Sequence, residues 1–148
     1  IVPLVIAYEV DPCDALKAAE LAKGEGYVKT EFEDVSSIAR GITGNKGCVH
    51  LHFGEPLPAD LSVEEVVAAL DRQMAQHYRL YQTNRWAWEW LHGESVPAEL
   101  TFQEGSVTEQ SFRARVDSVP DEHRRWLQRK CAVFSVSAAS FGAAWYKV

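Results

Sequence analysis

Long apolar runs, basic patches and paired cysteines are all missing from this sequence, and each absence excludes a class of protein. No apolar stretch reaches the roughly 18 residues that a membrane-spanning helix needs. The net charge of −6 and the lack of a dense basic run argue against nucleic acid as the main partner. The cysteines number three and are widely scattered, which favours free thiols in a reducing compartment over a disulfide framework. Residues 1–7 are too short, and lack the basic start, for a signal peptide.

What is present is typical of a globular α/β protein. The 148 residues suffice for about one domain, and a content of 47% hydrophobic and 24% charged residues is ordinary. Residues 1–9, Ile-Val-Pro-Leu-Val-Ile-Ala-Tyr-Glu, are almost entirely apolar, which predicts a strand buried on both faces of a parallel sheet. Because this strand starts without a polar lead-in, we expect the sequence to be the C-terminal part of a longer chain. If so, one face of the strand should be abnormally exposed.

Two helices and a second strand are predicted next. Asp11 and Pro12 are typical of a helix start, and Gly24 or Gly26 of its end. Thr30 and Glu33 form a possible capping box for a second helix, whose buried stripe would be Phe32, Val35 and Ile38. After a glycine-rich loop, Cys48–Phe53 predicts another strand. The order strand, helices, strand indicates a right-handed crossover between parallel strands.

The remainder is predicted to be helical. Ser62 and Glu65 make a capping box for a helix that ends near His77 or Tyr78, and an aromatic helix follows around Trp86–Leu91 until Gly93. Two more helices are indicated near residues 108–118 and from Pro120 onward. Between Cys131 and Tyr146 no residue is charged, which is compatible with a buried terminal helix, an interfacial segment or a frayed tail. An α/β part over residues 1–58 and a helical extension over residues 59–148 are therefore expected.

Few side chains form a pattern that indicates chemistry. Cys48, His50 and His52 alternate on one face of the second strand and could bind zinc, although structural histidines explain them without a fourth ligand. No Gly-x-Ser-x-Gly elbow occurs, and Cys13 near a helix start has no histidine tied to it. In a helix, Trp86 and Trp90 share a face, which favours core packing over a membrane-interface role.

Three separated segments carry a resemblance to a known family. They are residues 1–9, the stretch Gly44-x-Lys46-Gly47-x-Val49-His50-x-x-Phe53-Gly54-Glu55-Pro56, and Leu70-Asp71-Arg72-Gln73 with Tyr78-Arg79-Leu80-Tyr81-x-Thr83-Asn84. In this order they resemble the bacterial branch of the glycerolipid acyltransferases, which acylate glycerol-3-phosphate or lysophosphatidic acid. Residues 1–9 are similar to the fourth conserved block of that family. The resemblance covers roughly residues 1–92.

The resemblance implies a fold, an activity and a set of contacts. Residues 1–58 would be the C-terminal part of an α/β/α acyltransferase domain with parallel strands, followed by a helical extension. By this resemblance, Pro3, Tyr8, Glu9 and Lys46 would line the substrate cleft. Tyr8 and Glu9 also lie at the carboxyl end of the first strand, where open α/β sheets bind their ligands. The acyl donor would be acyl-CoA or acyl-carrier protein, with no other cofactor and no metal. The protein would be cytoplasmic and peripheral to the inner face of the membrane.

Two departures from the family pattern restrict these implications. Cys48 stands where the branch commonly has arginine, so an anion contact at that position is not carried over. The catalytic His-x-x-x-x-Asp pair of the family does not occur anywhere in the sequence, so no catalytic residue is assigned and this chain alone is expected to be inactive. Strand packing for Pro3, a buried ion pair or cap for Glu9, and a simple turn for the glycines around Lys46 are the structural alternatives.

A non-catalytic interaction domain is the main alternative to an acyltransferase. Its aromatic helices would pack against a partner. A zinc protein that uses His50 and His52 is the third possibility.

Overall fold

The computed structural model describes residues 1–24, 27–28 and 31–132, and these form two compact units. Unit 1 contains residues 1–7 and 49–79, and unit 2 contains residues 8–48 and 80–132. The domain boundary expected near residue 58 falls in the loop before the first helix of unit 1, and it stays a prediction. Apart from Cys131 and Ala132, the uncharged tail lies outside the described residues.

Two strands and six helices make up the described residues. All but one of the helices belong to unit 2, and the strand pair belongs mainly to unit 1. The elements are β1 (Leu4–Tyr8), α1 (Asp14–Lys23), α2 (Glu33–Thr43), β2 (Val49–Phe53), α3 (Val63–His77), α4 (Gln82–His92), α5 (Glu109–Asp117) and α6 (Asp121–Cys131).

The sheet is antiparallel, so the expected α/β/α domain with parallel strands is wrong. Within the described residues the sheet consists of β1 and β2 alone. At one end the N–H of Gly54 donates to the carbonyl of Pro3 at 2.9 Å, and at the other the N–H of Glu9 donates to the carbonyl of Cys48 at 2.9 Å. Residue numbers rise along one strand while they fall along the other, which defines an antiparallel pair.

The two helices between the strands explain this direction. A single crossover helix carries the chain to the far end of a sheet, whereas a second helix brings it back. The end of α2 lies at the start of α1, where Gly44 approaches Pro12 so closely that a Cβ on Gly44 would collide with the proline ring. The chain therefore re-enters β2 beside the residue at which it left β1. The relative direction of β1 and β2 therefore depends on how many helices connect them: one helix would make the strands parallel, and two make them antiparallel.

One face of the strand pair in unit 1 is apolar and exposed. Val5 and Ala7 of β1 are buried, but Leu4 is 48% exposed and Ile6 39% exposed. The strand is thus buried on one face only, which corrects the expectation of burial on both and confirms an exposed face. The register places Leu51 and Phe53 of β2 opposite Ile6 and Leu4, and these two side chains are exposed as well.

The predicted buried stripe of α2 is exposed. Phe32, Val35 and Ile38 are each more than 60% exposed, and so is Ile42 one turn later. No residue of α2 is buried. The apolar residues of α2 do lie on one face of the helix, but in the described residues no neighbouring element covers this stripe. Thr30, the proposed cap, lies outside the described residues.

Other helix limits follow their sequence signals. Ser62 and Glu65 form the reciprocal capping box at the start of α3, and that helix ends at His77. Gly93 ends α4 in the left-handed conformation with φ of 71°, which glycine adopts without steric cost. These predictions are confirmed. At the start of α1 the Asp11 carboxylate accepts the N–H of Cys13 at 2.8 Å, and the helix begins at Asp14.

Unit 2 has a hydrophobic core built from α1, α4, α5 and α6. Phe112 and Leu127 are its largest fully buried side chains. Trp86 and Trp90 both pack against Phe112, with ring centroids 6.2 and 5.5 Å away, and the Trp90 ring is stacked on it. Trp88 contacts His92 instead. The core-packing interpretation of the tryptophans is confirmed. None of the helices in the described part of the chain has both the length and the apolar composition needed to cross a bilayer.

Leu127→Ala should destabilise the protein by about 3 kcal/mol, because it opens a cavity at a position with no solvent exposure. Ile38→Ala is the matched control, since it also removes aliphatic carbons but at a side chain that is 62% exposed. Urea denaturation followed by circular dichroism measures both free energies of unfolding. Equal losses for the two variants would contradict the assignment of the core to α1, α4, α5 and α6.

Candidate functional site

Pro3, the first expected cleft residue, is buried in unit 1 and directly precedes β1. Its carbonyl accepts the N–H of Gly54, and Gly54 is flanked by Gln73 of α3. The Gln73 side chain accepts the N–H of Glu55 at 2.9 Å and donates to its carbonyl at 3.1 Å. A Cβ on Gly54 would collide with the Gln73 amide. Pro3, Gly54 and Gln73 come from the three segments that carry the family resemblance.

Glu9, at the end of β1, is the most constrained side chain in unit 2. The residue is 4% exposed, and its carboxylate accepts four hydrogen bonds. Oε2 accepts the N–H of Cys48 at 2.7 Å and both the N–H and the hydroxyl of Ser106 at 3.0 and 2.9 Å. Oε1 accepts the N–H of Val107 at 2.7 Å. Three chain segments distant in sequence therefore meet at one carboxylate.

The hydrogen bonds keep Glu9 ionised although it is buried. Burial alone would raise the pKa of Glu9, but the N–H groups of Cys48, Ser106 and Val107 and the Ser106 hydroxyl stabilise the anion more strongly. The net result is a pKa below the ordinary value of 4.5. Four N–H and O–H donors stabilise this buried carboxylate, and no Lys or Arg of the described residues forms an ion pair with it.

Two glycines make room for this carboxylate. A Cβ on Gly47 or on Gly105 would overlap the Glu9 side chain. Gly47 also has a φ of 62°, a conformation that residues with a Cβ rarely adopt. The glycines near Lys46 therefore serve the approach of Glu9 as well as the turn itself. The main chain of Glu9 is held too, because Thr83 of α4 donates its hydroxyl to the Glu9 carbonyl at 2.6 Å.

Tyr8 and Lys46 lie near Glu9, but their side chains do not take part in the hydrogen bonds of the Glu9 carboxylate. Tyr8 is 39% exposed. The Lys46 ammonium donates to the carbonyls of Ile42 and Gly44 at 3.1 and 3.2 Å, so it caps the C-terminal end of α2. Lys46 thus stabilises the C-terminal end of α2, and its side chain does not hydrogen-bond to Glu9. The substrate contacts expected for Pro3, Tyr8, Glu9 and Lys46 stay predictions.

The histidines of unit 1 form a stack. His52 lies against His77 of α3 with ring centroids 3.7 Å apart and planes 12° from parallel, and His50 follows at 6.5 Å. Nε2 of His50 is buried without a hydrogen-bond partner in the described chain. Partial burial, followed by the charges that His52 and Arg79 can carry, lowers the pKa of His77 below 6.5. Within residues 1–24, 27–28 and 31–132 no group of three His, Cys, Asp or Glu residues is arranged to hold a metal ion.

The three cysteines are free thiols, as expected. The Cys13 thiol donates to the carbonyl of Ser37 at 3.4 Å. Burial, reinforced by the nearby charge of Asp14, raises the pKa of the Cys131 thiol to about 12. Cys131 is therefore protonated and a poor nucleophile at neutral pH.

The loop 104–107 was missed by sequence reasoning. It supplies three of the four donors to Glu9, yet its sequence carries only weak turn signals. Gly105 beside Ser106 is the one local hint, and a glycine and serine pair is common in loops that bind nothing. The partner of this loop is 97 positions away, so only the folded chain identifies it.

No model of a known protein family, no curated protein and no solved structure matches this chain.

Glu9→Gln should lower the free energy of unfolding by about 2–3 kcal/mol, because the amide nitrogen replaces an acceptor with a donor that faces other donors. The stabilisation by wild-type Glu9 should be complete above pH 4.5, the ordinary pKa, and should be lost as the pH falls through the lower pKa of the folded state. Denaturation between pH 3 and 7 measures both effects.

Glu64→Gln is the control for that experiment. Glu64 is exposed on α3, and the change in chemistry is identical. A Glu9→Gln protein as stable as the control at pH 7 would show that the carboxylate does not organise the loops.

The pKa of His77 should lie below 6.5 and should rise toward it in His52→Ala, because the variant removes the stacked ring and its charge. Neutral His77 is favoured in the folded state, so the stability that depends on it is full above pH 6.5 and falls as the unfolded chain takes up its proton. Imidazole carbon-bound proton shifts in a titration from pH 4.5 to 8 measure the pKa. A midpoint at or above 6.5 in the wild type would contradict the lowering of the His77 pKa by burial and by its charged neighbours.

Proposed function

We propose that this chain is a non-catalytic part of a glycerolipid acyltransferase, which moves an acyl group from a thioester donor to glycerol-3-phosphate or lysophosphatidic acid. One observation carries the proposal. The residues responsible for the family resemblance hydrogen-bond to one another. In unit 1, Gly54 joins Pro3 and Gln73 joins Glu55. In unit 2, Thr83 donates its hydroxyl to the carbonyl of Glu9, and Gly47 lies against the Glu9 side chain.

These contacts give the matched motifs a physical reason. Within unit 1, the N–H of Gly54 donates to the carbonyl of Pro3, and a Cβ on Gly54 would collide with the Gln73 amide. Within unit 2, a Cβ on Gly47 would overlap the Glu9 side chain. Each pair restricts which residues fit at the two positions. The antiparallel pairing of β1 with β2 is compatible with this, because the resemblance rests on residues and not on a parallel sheet.

In the proposed enzyme the Glu9 carboxylate is a positioning group. It aligns the end of β1 with the turn at Cys48 and the loop at Ser106, and Tyr8 would be the exposed side chain nearest to that junction along the chain. The general base that deprotonates the acceptor hydroxyl would come from outside these 148 residues, since no His-x-x-x-x-Asp occurs among them.

The exposed apolar face of unit 1 would be the surface that receives this catalytic part. Ile6, Leu51 and Phe53 are apolar side chains that the described residues of unit 1 leave open to solvent. Burial of such a face is favourable by about 25 cal/mol for each Å² of apolar surface. A peripheral location at the inner face of the membrane also belongs to the proposal, supported by the exposed apolar stripe of α2.

Acyl-transfer assays on this chain and on the product of the reading frame extended upstream of Ile1 test the proposal. With a long-chain acyl-CoA and glycerol-3-phosphate or lysophosphatidic acid, the 148-residue chain should give no product. The extended frame should encode a His-x-x-x-x-Asp, and its product should transfer the acyl group. Leu51→Asp in that product should reduce turnover at least tenfold, because a carboxylate cannot be buried on the receiving face.

Val63→Asp serves as the matched control, since Val63 is 75% exposed and lies at the start of α3 rather than on β1 or β2. Turnover by the 148 residues alone, or an extended frame without the motif and without acyl transfer, would overturn the acyltransferase proposal. An inactive extended product in which Leu51→Asp still abolishes association with another chain would favour the second candidate, an interaction domain.

A further inference from the structure

A cavity of about 250 Å³ in unit 2 lies where α1 begins, α2 ends and α5 ends. Pro12 and Val119 provide apolar walls, and both are buried. Gly44 closes the cavity on one side, because its lack of a Cβ lets the end of α2 approach Pro12. None of the residues expected to line the acyltransferase cleft lies in its wall. Two guanidinium groups, from Arg40 and Arg115, are part of the lining.

Arg115 is held in one orientation by a buried carboxylate. Asp14 is fully buried and receives Nε of Arg115 at 2.9 Å and Nη2 at 2.6 Å, which is a bidentate pair. Nη2 donates its second hydrogen to the carbonyl of Asp11 at 3.0 Å. A guanidinium has five N–H donors. The two on Nη1 have no partner within the described residues, and they belong to a side chain that is fixed and only partly buried.

The side chains of Arg40 and Asn45 supply further N–H donors, and these donors have no acceptor within the described residues. The Arg40 side chain makes no hydrogen bond or ion pair with any residue that the structure describes, and it is exposed at the end of α2. The Asn45 carbonyl oxygen already accepts the N–H of Gly47 at 2.8 Å. The Asn45 amide nitrogen is therefore the part of that side chain still open to a ligand. All three groups offer N–H donors, and two carry a full positive charge.

The negative groups around the cavity are neutralised by other partners. Asp14 is paired with Arg115, and Asp11 is paired with Lys130. The carbonyls at the C-terminal end of α2, which form the negative end of its dipole, accept the Lys46 ammonium. The charge of Arg40 is thus left uncompensated within the described residues. A small recess with apolar walls, one fixed guanidinium, further N–H donors and a surplus of positive charge matches a dianion carried on a small organic group.

We propose that this cavity binds the phosphate group of a small phosphate monoester. The Nη1 hydrogens of Arg115, the Arg40 guanidinium and the Asn45 amide would donate to the phosphate oxygens. Pro12 and Val119 would contact the organic substituent. The site is independent of the proposed acyltransferase function, since its donors Arg40, Asn45 and Arg115 are not among the matched residues of the family resemblance.

Isothermal titration calorimetry with methyl phosphate, inorganic phosphate and acetate tests the site on the whole chain. Methyl phosphate should bind at least as tightly as inorganic phosphate, and acetate at least tenfold more weakly. Arg40→Ala should weaken methyl phosphate binding at least tenfold, because it removes a charged donor. Asn45→Asp should weaken it further, because it keeps the acceptor for Gly47 and places a carboxylate against the phosphate.

Arg125→Ala is the matched control, since Arg125 is an exposed arginine on α6 outside the cavity wall. It should leave the affinity within twofold of the wild type. Amide shifts of Gly44 and Asn45 should move on titration in a ¹⁵N NMR spectrum, which also reports whether each variant is folded. Equal weakening by Arg125→Ala, equal binding of acetate, or no binding of methyl phosphate at millimolar concentration would each overturn the proposal.

Discussion

The buried carboxylate of Glu9 is the interaction on which the rest of unit 2 depends. Four hydrogen bonds from Cys48, Ser106 and Val107 converge on it, and they join the end of a strand, a turn and a loop. A buried anion without enough donors would be expensive, whereas one that is fully satisfied aligns every donor around it. The positions of Gly47 and Gly105 follow from this, because no side chain with a Cβ fits beside the carboxylate. The conformations of the turn at Gly47 and of the loop at Gly105 are therefore both fixed by the Glu9 carboxylate.

A second ionic arrangement organises the helices of the same unit. Asp14 at the start of α1 is completely buried and fixes Arg115 of α5, while Asp11 pairs with Lys130 of α6. These pairs lie beside the apolar core of Phe112 and Leu127, so the polar contacts set which helix ends meet and the core supplies most of the burial. The cavity proposed to bind phosphate is a by-product of this arrangement, since Arg115 can face it only because Asp14 holds it.

Exposed apolar surface connects the fold to the proposed function. The strand pair of unit 1 and the stripe of α2 both have apolar side chains in the pattern of a buried face, and the described residues leave both open. Contiguous apolar faces on soluble proteins commonly mark surfaces that receive another chain or a membrane. A chain that supplies a wall, rather than the base, of an acyl-transfer site would have such faces. The exposed face of the first strand was expected from the sequence, whereas the stripe of α2 was expected to be buried and is exposed.

Several helix limits can be predicted from the sequence alone, because caps, glycines and periodicity act over a few residues. Ser62 with Glu65, Gly93 and the shared face of Trp86 and Trp90 are examples. Only the tertiary structure decided the antiparallel direction of β1 and β2, the exposure of Val35 and Ile38, and the donors around Glu9. Each of these depends on contacts between residues far apart in the chain, and local spacing carries no information about which distant donor reaches a given carboxylate.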